Sequence, residues 1–238
     1  MTQDLLFGQN PQASGGGGSF VPKGYRYGLE LSYVSPTSVA VSAGEAAVEV
    51  SPGVWQVIAN SGGTIPCGAA IATLPSGTGG LFIWLATDGT LSCNDSETGS
   101  GTLIGCICAL SNSIVDFYDE KIKGIIEYKS PIFDLNTTFS AGTLQTLTVS
   151  CPSVPDGIKG YVSLVCVGSP DNRFFWGRKS QIPAFSNSWI RDGSITSTQS
   201  SMSKYIPLED AQFRLRISTN NSQNILIYSW GFDYRGIL

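Results

Sequence analysis

The side chains of this 238-residue chain that could do chemistry are carboxylates and thiols, because the sequence contains no histidine. The absence of imidazole excludes Ser-His-Asp and Cys-His nucleophile arrangements and His-ligated zinc or iron. Two carboxylates would suffice for glycoside hydrolysis, but the acidic residues lie mostly in turn sequences, and we expect none in an apolar run that would favour its protonated form. The turn residues are Asp88, Asp95, Glu97, Asp156, Asp171 and Asp192. The sequence therefore predicts no enzyme, no catalytic residues and no cofactor.

Two loop sequences resemble known ligand loops only in composition. CNDSETGSG contains Asn94, Asp95 and Glu97, but it lacks the alternating ligands, central glycine and terminal glutamate of an EF-hand calcium loop. SGTGG at 76–80 has no Lys-Ser/Thr pair and no following helix, as a phosphate-binding loop would require. We therefore predict an exposed polar loop and a turn, and no metal site.

One long polar segment, SQIPAFSNSWIRDGS at 180–194, contains residue types that recognise ligands. Phe185, Trp189 and Arg191 could stack on a saccharide or make planar hydrogen bonds to a partner. The same aromatic residues could instead cover a core or a subunit contact. The sequence does not separate these alternatives, so no residue is assigned to a binding site.

The six cysteines show neither the CxxC spacing of a metal site nor the dense spacing of a small secreted domain. They are Cys67, Cys93, Cys106, Cys108, Cys151 and Cys166. Cys106 and Cys108 are two residues apart in GTLIGCICAL, so they would point to the same side of a strand and could not bridge each other. We predict reduced thiols packed as small apolar groups.

The composition is poor in charge: 13% of residues are charged, where about 25% is typical of soluble globular proteins. Polar surface must therefore come from Ser, Thr, Asn and Gly, a mixture that favours strands and turns, or surfaces covered by other subunits. The net charge of -4 argues against a nucleic-acid partner, because such binding depends on clustered Lys and Arg. The longest apolar runs are too short for a membrane span, so no membrane insertion is expected.

From Tyr25 onward, short alternating runs are separated by turn residues, and this pattern predicts an all-β fold. AAVEV and VWQVIA flank Pro52-Gly53, which predicts a hairpin with a type II turn. LFIWLAT and TLSC flank Asp88-Gly89, which predicts a second hairpin with a type I′ turn. These strands form a predicted first β-domain over residues 25–112.

A charge-rich stretch follows, and we interpret residues 113–130 as a linker, either a short helix or an edge strand. Longer strands such as AQFRLRIS and NILIYSWGFDY then predict a second β-sandwich domain over 131–238. In AQFRLRIS, Phe213, Leu215 and Ile217 should face a core. In NILIYSWGFDY, the alternation predicts one face shared by Leu226, Tyr228, Trp230 and Phe232.

The glycine-rich ASGGGGSF near the N-terminus, followed by YRYGLELSYVSPTSVAVSAGEAAV, resembles the start of bacteriophage tail-fibre and receptor-binding appendage proteins. VSCPSVPDGIKGYVSLVCVGS and the closing ILIYSWGFDYRG are similar to the later strands of the same proteins. The resemblance implies a trimeric all-β subunit that is fixed to a virion by its N-terminus and faces the host surface. The sequence has no coiled-coil heptads or β-helix repeats, so the expected form is a short knob or a bridging subunit.

Residues 1–24 would then be a flexible anchoring arm whose Leu5, Leu6 and Phe7 insert into a groove of a neighbouring tail or capsid protein. The linking residues would reach roughly 55 Å when fully extended. The expected function is thus a structural virion protein, a tail-fibre, knob or adaptor subunit that is assembled in the host cytoplasm and contributes to assembly and host attachment. The expected partners are identical copies, other virion proteins and a host glycan or receptor. The alternatives are a capsid decoration or head-fibre protein and a carbohydrate-binding β-sandwich module.

Overall fold

The computed structural model describes residues 24–120, 124–139, 144–156, 158–167, 172–179, 190–195, 199–219 and 223–234. These residues form an all-β fold, as the alternating sequence predicts. In chain order the strands are β1 (Arg26–Gly28), β2 (Leu31–Ser35), β3 (Ser38–Val41), β4 (Gly44–Ser51), β5 (Val54–Asn60), β6 (Gly63–Pro66), β7 (Gly79–Leu85), β8 (Leu91–Asn94), β9 (Thr102–Leu110), β10 (Ser113–Ile114), β11 (Phe117–Glu120), β12 (Ile125–Phe139), β13 (Leu144–Ser150), β14 (Lys159–Val167), β15 (Asn172–Arg178), β16 (Ile190–Ile195), β17 (Gln199–Pro207), β18 (Gln212–Thr219) and β19 (Gln223–Asp233). A short helix, α1 (Gly68–Thr73), precedes a 3-10 turn at Pro75–Gly77. Among the described residues, no helix is long and apolar enough to cross a membrane.

The described strands form sandwich-like layers of antiparallel sheets. The largest sheet has the order β17-β14-β19-β12-β11-β2-β3-β6, and the others have the orders β1-β4-β5, β10-β9-β7-β8 and β13-β18-β15-β16. Strands β7 and β9 are apolar along nearly their whole length and are buried on both sides. One continuous core reaches from Val39 and Ile104 to Phe213 and Ile225, so the layers of both halves pack together.

The described residues of the 113–130 stretch include strands β10 and β11 and the start of β12. Strands β11 and β12 lie in the middle of the large sheet, which combines strands of both predicted units. The charges of this stretch are compatible with a sheet because they find partners. Asp119 accepts hydrogen bonds from the Leu31 backbone N–H at 3.0 Å and the Tyr234 hydroxyl at 2.9 Å, and Lys129 pairs with Asp116 at 2.8 Å.

Both predicted hairpins are present, but one turn is of a different type. Pro52-Gly53 joins β4 to β5, and Gly53 has the positive φ (77°) that a type II turn requires. Between β7 and β8 the positive φ belongs to Gly89 and not to Asp88, so the predicted type I′ turn is wrong. The Gly89 N–H donates to the Ala86 carbonyl at 3.0 Å, which defines a three-residue loop that ends in a left-handed glycine.

The last strand, β19, contains a bulge that the sequence pattern does not reveal. Tyr161 and Val162 are consecutive in β14 but pair with Gly231 and Ser229, which leaves Trp230 as the extra residue. The prediction that Phe232 shares a face with Trp230 is therefore wrong: Phe232 is fully buried, whereas Trp230 is half-buried on the opposite side. Phe213 and Leu215 of β18 face the core, as predicted.

Candidate functional site

A cleft of about 340 Å³ opens between the β7–β8 hairpin and the segment that joins β13 to β14. Its floor is apolar and contains Phe82, Val154 and Pro155, all of which are buried. Backbone hydrogen bonds hold the joining segment in place: the Cys151 N–H donates to the Ala211 carbonyl at 2.8 Å. From below, the buried Tyr128 hydroxyl donates to the Ser153 carbonyl. The walls of the cleft are therefore fixed by contacts outside it.

The rim of the cleft is anionic. Asp95, Glu97 and Asp156 line it, all three are exposed, and no Lys or Arg is among the lining residues. A cleft with an apolar floor and a carboxylate rim is complementary to a positively charged group that has an apolar stem. Its residue types can bind such a group, and the rim alone does not define a reaction.

The charges of the chain are strongly segregated along the sequence, and the cleft is lined by residues of both parts. Residues 27–120 contain nine Asp or Glu residues and no Lys or Arg, whereas residues 121–238 contain twelve Lys or Arg and eight Asp or Glu residues. The overall net charge of -4 conceals this difference.

The outer side of the large sheet carries a row of aromatic side chains, which we name the aromatic face. Its members are Tyr118, Phe133, Tyr161, Tyr228 and Trp230. Tyr118 is 59% exposed and Phe133 is 53% exposed, and the rings of Phe133 and Tyr228 lie with centroids 5.4 Å apart. Large apolar groups placed together on a surface mark sites where partners or ligands bind.

Lys129 holds one end of the aromatic face in place. Its ammonium lies 5.3 Å from the ring centroid of Tyr118 and 5.8 Å from that of Tyr33, which is the geometry of cation–π contacts. The hydrogen bond from Lys129 to Asp116 raises the pKa of the lysine. Tyr118 is therefore exposed to solvent and also oriented by its neighbours.

A second polar cluster combines a carboxyl, a hydroxyl and a thiol beneath the sheet. The Ser229 hydroxyl donates to Asp134 Oδ2 at 2.6 Å, and Cys151 lies beside them. Ser229 and Cys151 have no exposed surface, so no substrate reaches these potential nucleophiles. Burial raises the pKa of Asp134 to about 6. The expectation that no carboxylate lies in an apolar run is therefore wrong, because Asp134 lies within PIFDLN.

Most residues singled out in the sequence do not converge on a site. Outside the described residues lie Leu5, Leu6, Phe7, Phe185 and Trp189. Arg191 lies in β16, paired with Phe175. Asn94 Oδ1 accepts hydrogen bonds from Trp84 Nε1 at 3.1 Å and the Ser96 N–H at 3.2 Å, so it closes its own loop. Among the described residues, no three His, Cys, Asp or Glu side chains are grouped as metal ligands.

Sequence reasoning missed both the cleft and the aromatic face. The cleft combines Phe82 with Val154 and Ala211, and no local sequence pattern predicts that these distant segments meet. The charge segregation was readable, because counting Lys and Arg in each half reveals it. For the aromatic face, the alternation in FYDE and EYK would have placed Tyr118 and Lys129 on the outer side once both were assigned to strands.

Comparison with protein-family models and with curated proteins finds no match for this chain.

Proposed function

We propose that this chain is a structural protein of a bacteriophage virion, a homo-oligomeric tail-fibre, knob or adaptor subunit attached through residues 1–24. It would assemble in the host cytoplasm and contribute to particle assembly and host attachment. The proposal takes the viral context from the sequence resemblance and the structural role from the molecule. Its described residues form sandwich-like layers of β-strands, and the aromatic face is suited to contact rather than to catalysis.

The observation that carries the proposal is the aromatic face. Tyr118 and Phe133 expose more than half of their surface on a regular sheet, although the chain has only 13% charged residues to keep it soluble. Burying such rings between subunits stabilises the assembly by roughly 25 cal/mol for each Å² of apolar area that is removed from water. A surface of this kind is better covered by a neighbouring subunit than exposed to water.

Replacing Tyr118 and Phe133 together by serine is expected to convert a trimer into monomers at micromolar concentration. Both side chains are exposed, so the change should leave the fold largely intact. Analytical ultracentrifugation measures the oligomeric state. The control is Tyr27→Ser, because Tyr27 is 71% exposed but lies in a different sheet. A wild-type chain that sediments as a stable monomer would contradict the oligomer, and a trimeric double variant would contradict the role of this face.

Deleting residues 1–20 is expected to leave the β-body folded and to abolish incorporation into particles. The first strand among the described residues begins at Arg26, so the deletion removes no described strand. Circular dichroism of the truncated chain would test folding, and complementation of a phage that lacks the gene would test incorporation. A truncated chain that still enters particles would argue against the anchoring arm. A cryo-electron microscopy map of the intact particle would distinguish a subunit of the tail from a capsid decoration or head-fibre protein.

The aromatic face also favours a second candidate, a carbohydrate-binding module. Exposed tyrosine and phenylalanine rings can stack on the apolar side of a sugar ring, and Lys129 and Glu127 lie on the same side of the sheet as hydrogen-bonding groups. A glycan array probed with the isolated chain separates the candidates. Binding by a monomer that depends on Tyr118 supports the module, and a trimer without glycan binding supports the structural role.

A further inference from the structure

The cleft beside the β7–β8 hairpin has an apolar floor that is already formed in the folded chain. Phe82, Val154 and Pro155 make up this floor and are buried. Gly80 also lines the cleft, and a Cβ added to it would lie 2.8 Å from Pro155, so β7 and the segment after β13 approach closely. The volume of about 340 Å³ is typical of a small-molecule site. The cleft can therefore receive a ligand without rearrangement of its floor.

Carboxylates stand on two different walls of this apolar cleft. Asp95 and Glu97 belong to the loop after β8, whereas Asp156 belongs to the segment that joins β13 to β14. No Lys or Arg is among the lining residues that the structure describes, so a cationic ligand would meet no like charge there. The charge of the rim is thus complementary to a cation.

The arrangement of the carboxylates favours an extended cation over a compact one. In the described part of the chain, no three His, Cys, Asp or Glu side chains are grouped as ligands of one metal ion. A compact ion would therefore contact one wall only. A linear chain with a positive charge at each end can contact both walls, and its methylene groups can cover the apolar floor between them.

We propose that the cleft binds a linear aliphatic diamine or a longer polyamine. The methylene chain lies on Phe82 and Val154, one ammonium group lies beside Asp95 and Glu97, and a second ammonium group lies beside Asp156. The inference goes beyond the proposed function and does not depend on it, because the cleft and the aromatic face are formed by different residues.

Calorimetric titration of the full chain with cadaverine, at low ionic strength and about pH 7, tests the site. Pentylamine is the matched ligand control, because it has the same carbon chain but only one ammonium group. We expect cadaverine to bind about tenfold more tightly than pentylamine, since it contacts both walls. Equal binding of the two amines would overturn the proposal, because a single ammonium group would then be sufficient.

Replacing Asp156 by asparagine should remove the advantage of cadaverine over pentylamine. Asp156 is exposed, and asparagine keeps an oxygen for the hydrogen bond that the Ala211 N–H donates to Oδ1 at 3.3 Å, so the fold should be retained. Glu97→Gln should weaken the binding of both amines by about three- to tenfold. Glu30→Gln, which removes an exposed carboxylate outside the cleft, should change the binding by less than about twofold.

Magnesium distinguishes this site from a general attraction of cations to an acidic surface. At matched ionic strength, we expect magnesium to displace no more cadaverine than sodium does, because the rim carboxylates among the described residues are not grouped around one ion. Full displacement by magnesium, equal losses in the Glu97→Gln and Glu30→Gln variants, or a wild-type chain that binds no cadaverine would each overturn the proposal.

Discussion

Replacing Asp134 by asparagine is expected to raise the free energy of unfolding by roughly 2–3 kcal/mol at about pH 8. Asp134 Oδ1 is buried without a hydrogen-bond partner, while Oδ2 accepts from Ser229. Burial raises the pKa of this carboxyl from its ordinary value near 3.8 to about 6, so the folded protein holds a costly charge above that pH. Asparagine keeps an oxygen for Ser229 and carries no charge.

The pH dependence follows from the direction of the shift. Because the folded-state pKa of Asp134 lies above the unfolded value, the folded protein binds an extra proton between about pH 4 and pH 6. The contribution of this group to stability is fully present below its unfolded pKa and is lost as the pH rises through about 6. Wild type and Asp134→Asn should therefore differ most at about pH 8 and by less than about 1 kcal/mol at pH 4.

Urea unfolding of both chains at the two pH values measures this difference. Asp88→Asn is the control of opposite sign, because hydrogen bonds from Thr90 lower the pKa of the exposed Asp88 at the hairpin tip. That variant should lose stability at about pH 8 instead of gaining it. If Asp134→Asn were less stable than wild type at about pH 8, the charge of Asp134 would not lower the free energy of unfolding.

Local patterns predicted the strands well where the neighbours of a strand are close in sequence. Pro52-Gly53 closes a hairpin because the turn chemistry and the flanking alternation agree. Residues 113–130 were harder to place, since charges normally indicate solvent. Asp119 is accommodated by Tyr234, which comes from the far end of the chain, and this partner cannot be read from the local sequence.

Turn types depend on backbone angles that residue identity only suggests. Asp88-Gly89 matches the usual type I′ dipeptide but forms a three-residue loop, whereas Ser111-Asn112 lacks glycine and has two positive φ angles, 51° and 66°. Asn is among the residues that tolerate this region, so the second turn was within reach of sequence reasoning. The cleft could not be predicted from the sequence, because its floor is assembled by long-range packing of β7 against the segment after β13.

The bulge in β19 links the core to the aromatic face. Up to Ser229, alternate residues such as Ile225 and Ile227 point into the core. The extra residue at Trp230 then shifts the alternation, so that Phe232 and Tyr234 are buried instead. Without this shift, the strand would expose those rings and bury neighbours of the aromatic face. One irregular position thus sets which aromatics stabilise the fold and which remain available for contact.

Replacing Gly231 by alanine is therefore expected to destabilise the protein by more than about 4 kcal/mol, enough to deplete the folded state. Gly231 has a φ of 144°, a conformation that residues with a side chain rarely adopt, and an added Cβ would overlap the carbonyl oxygen of Ile126 in β12. That oxygen belongs to the sheet backbone and cannot move alone. Relief would require β19 to separate from β12 at the centre of the large sheet.

Soluble yield and urea unfolding measure this effect against a matched glycine. Gly53 also has a positive φ (77°), but an added Cβ would meet no atom within 4 Å, so Gly53→Ala should cost only about 1–2 kcal/mol from the backbone conformation. Equal losses for the two variants would show that the clash with Ile126 is relieved cheaply. A larger loss for Gly231→Ala, accompanied by exposure of Phe232 and Tyr234 to solvent, would show that the bulge holds the core and the aromatic face on opposite sides of one strand.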